Sequence, residues 1–375
     1  MKFFGTKASR SGARPVLARA WGAGAVALGE WPASYEAQLR AGIISNPVAQ
    51  RAMRLVSEGA GSTRLTASGI ADEEAARVLA LVLRCSGGQS LVETLASHLL
   101  LHGNGYVQIL AGVDGSPGEL YALRPERVSV EADARGWPVA YLYRVGDSVT
   151  RLLPEDGAGR ASILHLKALH PLDDHYGLGC VGAAAGAVAI HNAATVWNKA
   201  LLDNAARPSG AMVYDPKDGS VMAPEQFERV KREMEMAFSG AANAGRPMLL
   251  EGGLDWKAMS LTPAEMDFVG LKAAAAREIA LAFGVPPMLM GLPGDNSYAN
   301  YREANKALWR QAILPLVGKI CGGLAQGLQD WWPGLALAAD LDAVPALSDE
   351  RVALWQRVSA ADFLTAEEKK ALLGI

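Results

Sequence analysis

Apolar positions along the chain repeat with two periods, and the pattern changes near residue 180. Between 46 and 160 both helical and strand spacings occur. Over 71–84, Ala75, Val78, Leu79 and Val82 fall on one stripe, which predicts an amphipathic helix. A second helix is predicted over 91–101, stopped by Gly103-Asn104-Gly105. Then come 106–110, 120–123, 128–130 and 139–143, alternating or continuously apolar and separated by Gly, Pro and Asp clusters, as in an antiparallel meander. The run 163–166 predicts one more strand.

From Val181 the chain is Ala-rich and free of proline as far as Arg207-Pro208, where the residue before proline avoids the helical region. This predicts a helix over 181–206, about 25 residues and long for a globular domain. A small α/β insert follows: a strand at 210–214, a helix over 224–238 with proline in its first turn, and a strand at 247–250. A second long helix is predicted to begin at Thr262-Pro263-Ala264-Glu265, with Thr262 as N-cap and Glu265 closing a capping box. Gly284 is its expected left-handed terminator, and Pro286-Pro287 forbids continuation. After a loop over 288–297, a third helix is predicted from about 299 to 313; Pro315 must kink or break it before 316–328. Thr365-Ala366-Glu367-Glu368 has capping-box spacing and predicts a short last helix. Two long helices carrying an insert of about 55 residues bury little within one chain. Their Ala-rich faces call for a partner, most simply identical neighbours side by side.

Composition adds constraints. The 375 residues are 50% hydrophobic and 20% charged, which is globular and excludes wholesale disorder. With 36 Lys+Arg against 39 Asp+Glu, the net charge of -3 is not the footprint of a tight, static nucleic-acid binder. Residues 1–20 hold Lys2, Lys7, Arg10, Arg14 and Arg19 and no acid, a basic arm that an acidic partner or a neighbouring subunit would order. Cys85, Cys180 and Cys321 are odd in number and far apart, so they form no disulfide framework and are expected to be buried small apolar groups. The longest uncharged apolar run, 178–190, has 13 residues, against roughly 20 for a membrane span, so no transmembrane helix is expected.

Candidate chemistry is sparse. Gly177-Leu178-Gly179-Cys180-Val181-Gly182 matches GxGxxG and opens a helix, which gives an alternative reading as a dinucleotide-binding enzyme. Its context is poor: the strand 163–166 lies about ten residues upstream, and Asp203, at the right offset for ribose, lies inside the same helical run. His165, His170, Asp173, Asp174 and His175 cluster as metal ligands would, yet no paired ligand motif occurs elsewhere, and a loop with solvated or capping side chains is the preferred reading. His98 and His102 are four apart, and His102 is expected to complement the end of its helix. There is no GxSxG, no Cys beside a His/Asn partner and no GxxxxGK[ST], so neither a catalytic residue, a cofactor nor a metal is assigned.

Several stretches together resemble the HK97-type portal proteins of tailed bacteriophages, prophages and gene transfer agents. They are His102-Gly-Asn-Gly-Tyr-Val107, Leu123-Arg-Pro-Glu-Arg-Val128, Ile163-Leu-His-Leu-Lys167 running to Gly177-Leu-Gly179, and Ala206-Arg-Pro-Ser-Gly210. Asn243-Ala-Gly-Arg-Pro247, Arg277-Glu-Ile-Ala-Leu-Ala-Phe-Gly-Val-Pro-Pro287 with Met290-Gly291, and Asp362-Phe-Leu-Thr-Ala-Glu-Glu-Lys-Lys370 follow in order. The resemblance spans roughly 40–375; where the family has Ser-Pro after Gly-x-Gly, this chain has Cys180-Val181.

The resemblance implies an α+β portal fold and a ring of about twelve subunits at one capsid vertex of a virion or virus-like particle, through whose axis double-stranded DNA passes without sequence preference. It implies a basic arm at 1–40, a wing at 41–179, stem helices at 180–206 and 262–283 with a clip at 207–261 between them, a tunnel loop at 284–298, a long wing helix at 299–330 and a helical crown at 331–375. In the tunnel loop, Gly291, Gly294, Asp295, Asn296, Ser297 and Tyr298 are the expected channel-facing residues, flexible and without a base. The implied partners are the major capsid protein, the terminase motor and a head–tail connector, with no membrane.

Overall fold

The structure is a computed structural model that describes residues 17, 34–86, 88–203, 210–214, 223–238, 254–258, 267–292 and 298–374. In chain order the elements are α1 (Tyr35–Leu39), α2 (Pro47–Gly61), β1 (Leu65–Ser68), α3 (Asp72–Val82), β2 (Cys85–Ser86), β3 (Gln89–Ser90), α4 (Leu91–His102), β4 (Asn104–Ala111), β5 (Pro117–Leu123), β6 (Val128–Ala132), β7 (Pro138–Val145), β8 (Ser148–Leu152) and β9 (Ile163–Lys167). They continue as α5 (Cys180–Asp203), β10 (Gly210–Tyr214), α6 (Pro224–Phe238), β11 (Leu254–Ala258), α7 (Phe268–Ala282), α8 (Tyr298–Leu308), α9 (Leu314–Leu328), β12 (Ala336–Ala339), α10 (Ser348–Ser359) and α11 (Ala366–Leu373).

The chain divides into two compact units, one made of 1–185 with 279–375 and the other of 186–278, and both divisions fall inside helices, α5 and α7. In the larger unit the expected meander is two antiparallel three-stranded sheets, ordered β5-β4-β9 and β6-β7-β8. Strand periodicity makes them a sandwich. Tyr106, Leu123 and Ile163 on one face of the first sheet bury against Val128, Val130 and Tyr141 of the second. The opposite face packs on helices: a Cβ added at Gly323 or Gly327 of α9 would sit 2.2 or 2.1 Å from Leu166 or Leu164 of β9, and one at Gly105 of β4 would meet Leu95 of α4. The small pair β1–β12 ties the N-terminal part of this unit to residues 336–339, and Asp340 N donates to Arg64 O at 2.8 Å.

Local chemistry explains most boundaries. Asn46 Oδ1 accepts from Val48 N and Ala49 N at 3.0 Å and caps α2, with Pro47 at its first position. Ser90 caps α4, and Gly103, at φ 78°, ends it. Gly284, at φ 68°, ends α7 in a Schellman arrangement: Val285 N donates to Ala280 O at 2.9 Å and Gly284 N to Leu281 O at 3.0 Å. Thr365 and Glu368 form the expected capping box of α11. Pro315 breaks nothing. Trp309–Ile313 form a π-turn in which Leu314 N donates to Trp309 O, and this widened turn accommodates a residue that lacks an N–H and crowds the carbonyl four before it.

Several expectations need correction. The helix placed from Thr262 is described from Phe268 only; its expected cap lies outside the described residues. At Asp267 the backbone is left-handed (φ 40°) and the side chain accepts from Gly270 N at 3.1 Å, so α7 starts there, and a side chain at Gly270 would collide with that carboxylate. The strand expected at 247–250 also lies outside the described residues; β10 pairs instead with β11. Strands β1, β8 and β12 carried too short or too polar a pattern to stand out, and helix α2, amphipathic with Ala49, Ala52, Val56 and Ala60 buried on one stripe, adds to the expected elements. Of the cysteines, only Cys321 is buried; Cys85, in a two-residue strand, is exposed. The segment Cys180–Ala200 has mean hydropathy 1.3 over its best window and is long and apolar enough, by length and composition, to cross a bilayer, because its alanines, valines and Ile190 carry the average across His191 and Asn192. Apart from Leu17, whose N–H donates to Arg135 O at 3.0 Å, residues 1–33 of the basic arm lie outside the described residues.

The Gly327–Leu164 contact yields a direct check. Gly327→Val should lower stability by about 1–3 kcal/mol through overpacking, and Leu164→Ala in the same chain should recover part of that loss; denaturant unfolding of the single and double variants measures the coupling.

Candidate functional site

The helix junction around Asn104 joins several elements through one buried polar side chain. Asn104 is fully buried at the start of β4, directly after the left-handed Gly103. Its Oδ1 accepts from Gly177 N at 2.8 Å and from His165 Nε2 at 2.9 Å. Its Nδ2 donates to His102 Nδ1 at 2.9 Å, His102 O at 3.2 Å and Gly177 O at 3.4 Å. One amide thus joins the end of α4, the strand pair β4–β9 and the segment that leads into α5. The His165 ring stacks on Tyr106 with centroids 4.3 Å apart, and Tyr35 of α1 packs edge-on to His102 at 4.6 Å.

The GxGxxG stretch belongs to this junction. A Cβ at Gly177 would lie 2.0 Å from Gly103 O, one at Gly179 would lie 2.3 Å from Leu101 O, and one at Gly103 would lie 2.4 Å from the Leu178 backbone. Two backbone segments pass in contact, and glycine is what permits it. Every strand pair among the described residues is antiparallel, so the parallel βαβ unit a dinucleotide site needs is not present in them.

The histidine cluster separates in the same way. His165 faces Asn104, His175 Nε2 lies 2.5 Å from Gly136 O, and His170 Nδ1 accepts from Leu172 N at 3.1 Å. Asp173 Oδ1 accepts from His175 N and Tyr176 N, at 2.7 and 3.0 Å, and closes a local turn. No group of three His, Cys, Asp or Glu side chains among the described residues could hold a metal ion. Burial holds the His98 ring down to about 4 and the His165 ring down to about 3, and also lowers His102. His102 therefore sits at the end of α4 as a neutral hydrogen-bond acceptor, not as the cation expected to complement the helix end.

The expected channel loop begins beyond Gly284. Val285 is buried, Pro287–Met290 form a short 3-10 turn, and Gly291 ends it with φ 70°. Gly294, Asp295, Asn296 and Ser297 lie outside the described residues, and Tyr298 opens α8. Behind the loop, the cations of α8 and the π-turn face acids of α10: Arg302 to Asp349 at 3.6 Å, Lys306 to Glu350 at 3.7 Å, and Arg310 to Glu350. Beside the junction, the larger unit carries an apolar groove of about 330 Å³ whose walls include Leu99, Leu178, Cys180, Phe283 and Leu316, with Lys319 among its lining residues.

Such a fold and junction define a structural class of protein: an antiparallel α+β body whose glycine- and histidine-rich motifs serve packing. The sequence profile of the phage portal protein family matches residues 47–374, and the chain belongs to that family, a structural and non-enzymatic one. An uncharacterised protein of Rickettsia felis is 42% identical over 298 residues, which is 77% of this chain and 74% of that one. A chain in the neck of a native gene transfer agent particle, computed with C12 symmetry, is 48% identical over 91% of this chain and 93% of its own, with a TM-score of 0.68. An HK97 family phage portal protein from Corynebacterium diphtheriae, at 17% identity and a TM-score of 0.58 over 85% of this chain, shares the fold.

Two outcomes follow from the junction. Asn104→Ala strands the Gly177 amide and the His165 ring in a buried site and should cost about 2–5 kcal/mol, read as a lowered denaturant midpoint. Because His98, His102 and His165 are held neutral when folded and take up protons near pH 6.5 when unfolded, stability is full above that value and falls as the pH drops towards 4. His165→Gln, which keeps a donor towards Asn104, should flatten the fall in melting temperature between pH 7 and 5.

Proposed function

We propose that this chain is one subunit of a portal ring of about twelve copies at a capsid vertex, through which double-stranded DNA enters and leaves a phage or gene transfer agent particle. The observation that carries the reading is the 48% identity, across 91% of the chain, to a chain of a gene transfer agent neck with C12 symmetry. Residues 180–206 and 262–283 would form the stem, 207–261 the clip, 41–179 and 299–330 the wing, 284–298 the tunnel loop and 331–375 the crown. The loop residues Gly291, Gly294, Asp295, Asn296, Ser297 and Tyr298 would face the axis.

A conduit must not hold what passes through it. Phosphate contacts by Lys and Arg make binding strong and salt-dependent, so a channel wall should offer few of them. A chain at -3, repeated about twelve times, makes a moderately anionic ring. The bases behind the loop are paired with α10 acids within the chain. No catalytic role is assigned. With no GxxxxGK[ST] in the chain, a terminase motor would supply the ATP hydrolysis, docking on the clip, where a head–tail connector would follow it; the major capsid protein would hold the wing. The apolar Cys180–Ala200 stretch is then interior to the ring, and no membrane is involved.

Purified protein viewed by electron microscopy should show rings with a hole about as wide as a DNA duplex; a strictly monomeric species under assembly conditions would overturn the reading. Deleting 288–298 should leave rings intact and reduce packaged DNA in particles, whereas collapse of the rings would make the loop a structural element.

A further inference from the structure

A cyclic ring is built from heterologous contacts, so each chain must carry two different, complementary surfaces. α7 and its C-terminal turn carry candidates for both. Ala282 and Phe283 help to line the apolar groove of the larger unit, together with Leu99, Leu178 and Cys180. Leu281, about 100° away from Ala282 around the helix, points to solvent and is 77% exposed. A leucine that exposed on a helix is an unpartnered knob, and a groove of about 330 Å³ has room for two or three aliphatic side chains.

Charge assigns the same occupant. One turn before Leu281, Glu278 is exposed, while Arg277 beside it is engaged within its own chain. The groove lining includes the exposed cation Lys319, whose Nζ donates to the backbone carbonyl of Lys167 at 3.5 Å. An apolar knob with an acid one turn away matches an apolar groove that carries the cation Lys319 in its lining.

We propose that the groove is the socket for Leu281 of a second copy of this chain, with Glu278 of that copy set against Lys319 on the rim. The inference rests on the ring reading and assigns it a subunit contact. It gives Cys180, in the groove wall and without a disulfide partner in its own chain, a position beside the neighbour's knob.

The native thiol makes the test direct. In a Cys85→Ala background, which removes the exposed thiol, Leu281→Cys rings treated with a mild oxidant should give a non-reducing ladder of covalent dimers and higher multimers, and Cys180→Ala should abolish it. Glu278→Lys should weaken ring assembly at low salt at least tenfold, and Lys319→Glu in the same chain should restore much of it. Rings that form without a ladder and ignore both charge reversals overturn the socket while leaving the ring in place. A cross-link confined to single chains overturns it as well, because Cys180 would then be reached from within its own subunit. A wild-type protein that forms no rings overturns the ring reading and the socket with it.

Discussion

One buried amide fixes the backbone that leads into the long helix α5. Asn104 offers a carbonyl and an NH2 group, and both face partners on α4, β9 and the segment before α5. Burying such a group is favourable only because its hydrogen-bonding capacity is used. The glycines around it are a consequence. To bring Gly177 N and Gly177 O to the Asn104 side chain, the backbone of 177–179 must press against that of 101–103, and no Cβ fits at the contact. The neutral histidines are a second consequence, since a charged ring in this site would meet no carboxylate among the partners named.

Around this joint the helices are kept regular by local devices. The π-turn at Trp309–Ile313 absorbs Pro315 without ending the α8–α9 run, and it buries Ile313 against α2 at a point where Gly59 has no side chain to interfere. The Schellman end of α7 turns the chain sharply into Pro286-Pro287, so the loop that follows starts from a defined point. These features position the start of the loop at 284; Gly294, Asp295, Asn296 and Ser297, which the function would use, are not among the described residues.

Much of this was legible from residue pattern. The strands of the first sheet, helices α3 to α6 and the caps at Gly103, Gly284 and Thr365 follow from periodicity and from the few residues that tolerate a helix end. What escaped was set by partners distant in sequence. The segment 148–152 is a strand because β7 lies beside it, with the Arg151–Glu131 ion pair spanning the sheet; its own side chains are mostly exposed and show no alternation of burial. The pairing of 65–68 with 336–339 joins segments that nothing local connects. At the joint, the sequence displayed Asn104, His165 and Gly177 but not that they meet, because a hydrogen-bond network across 61 or 73 residues has no periodicity.

The same joint shows how a structural motif can imitate a functional one. A glycine-rich helix start and a cluster of histidines and aspartates are the vocabulary of nucleotide and metal sites, and what separates the two uses is where the donors and acceptors point. In a binding site they converge on a volume that a ligand must fill. Here they converge on one another: Asn104 on Gly177 and His165, Asp173 on the amides of His175 and Tyr176, and His170 on Leu172 N. In each case the partner is another group of the same chain. Large apolar side chains stand exposed among the described residues, including Leu281, Val269 and Val196 on the two long helices. Side chains of that kind gain by burial against a further apolar surface, whereas the polar groups of the joint already have their partners within the chain.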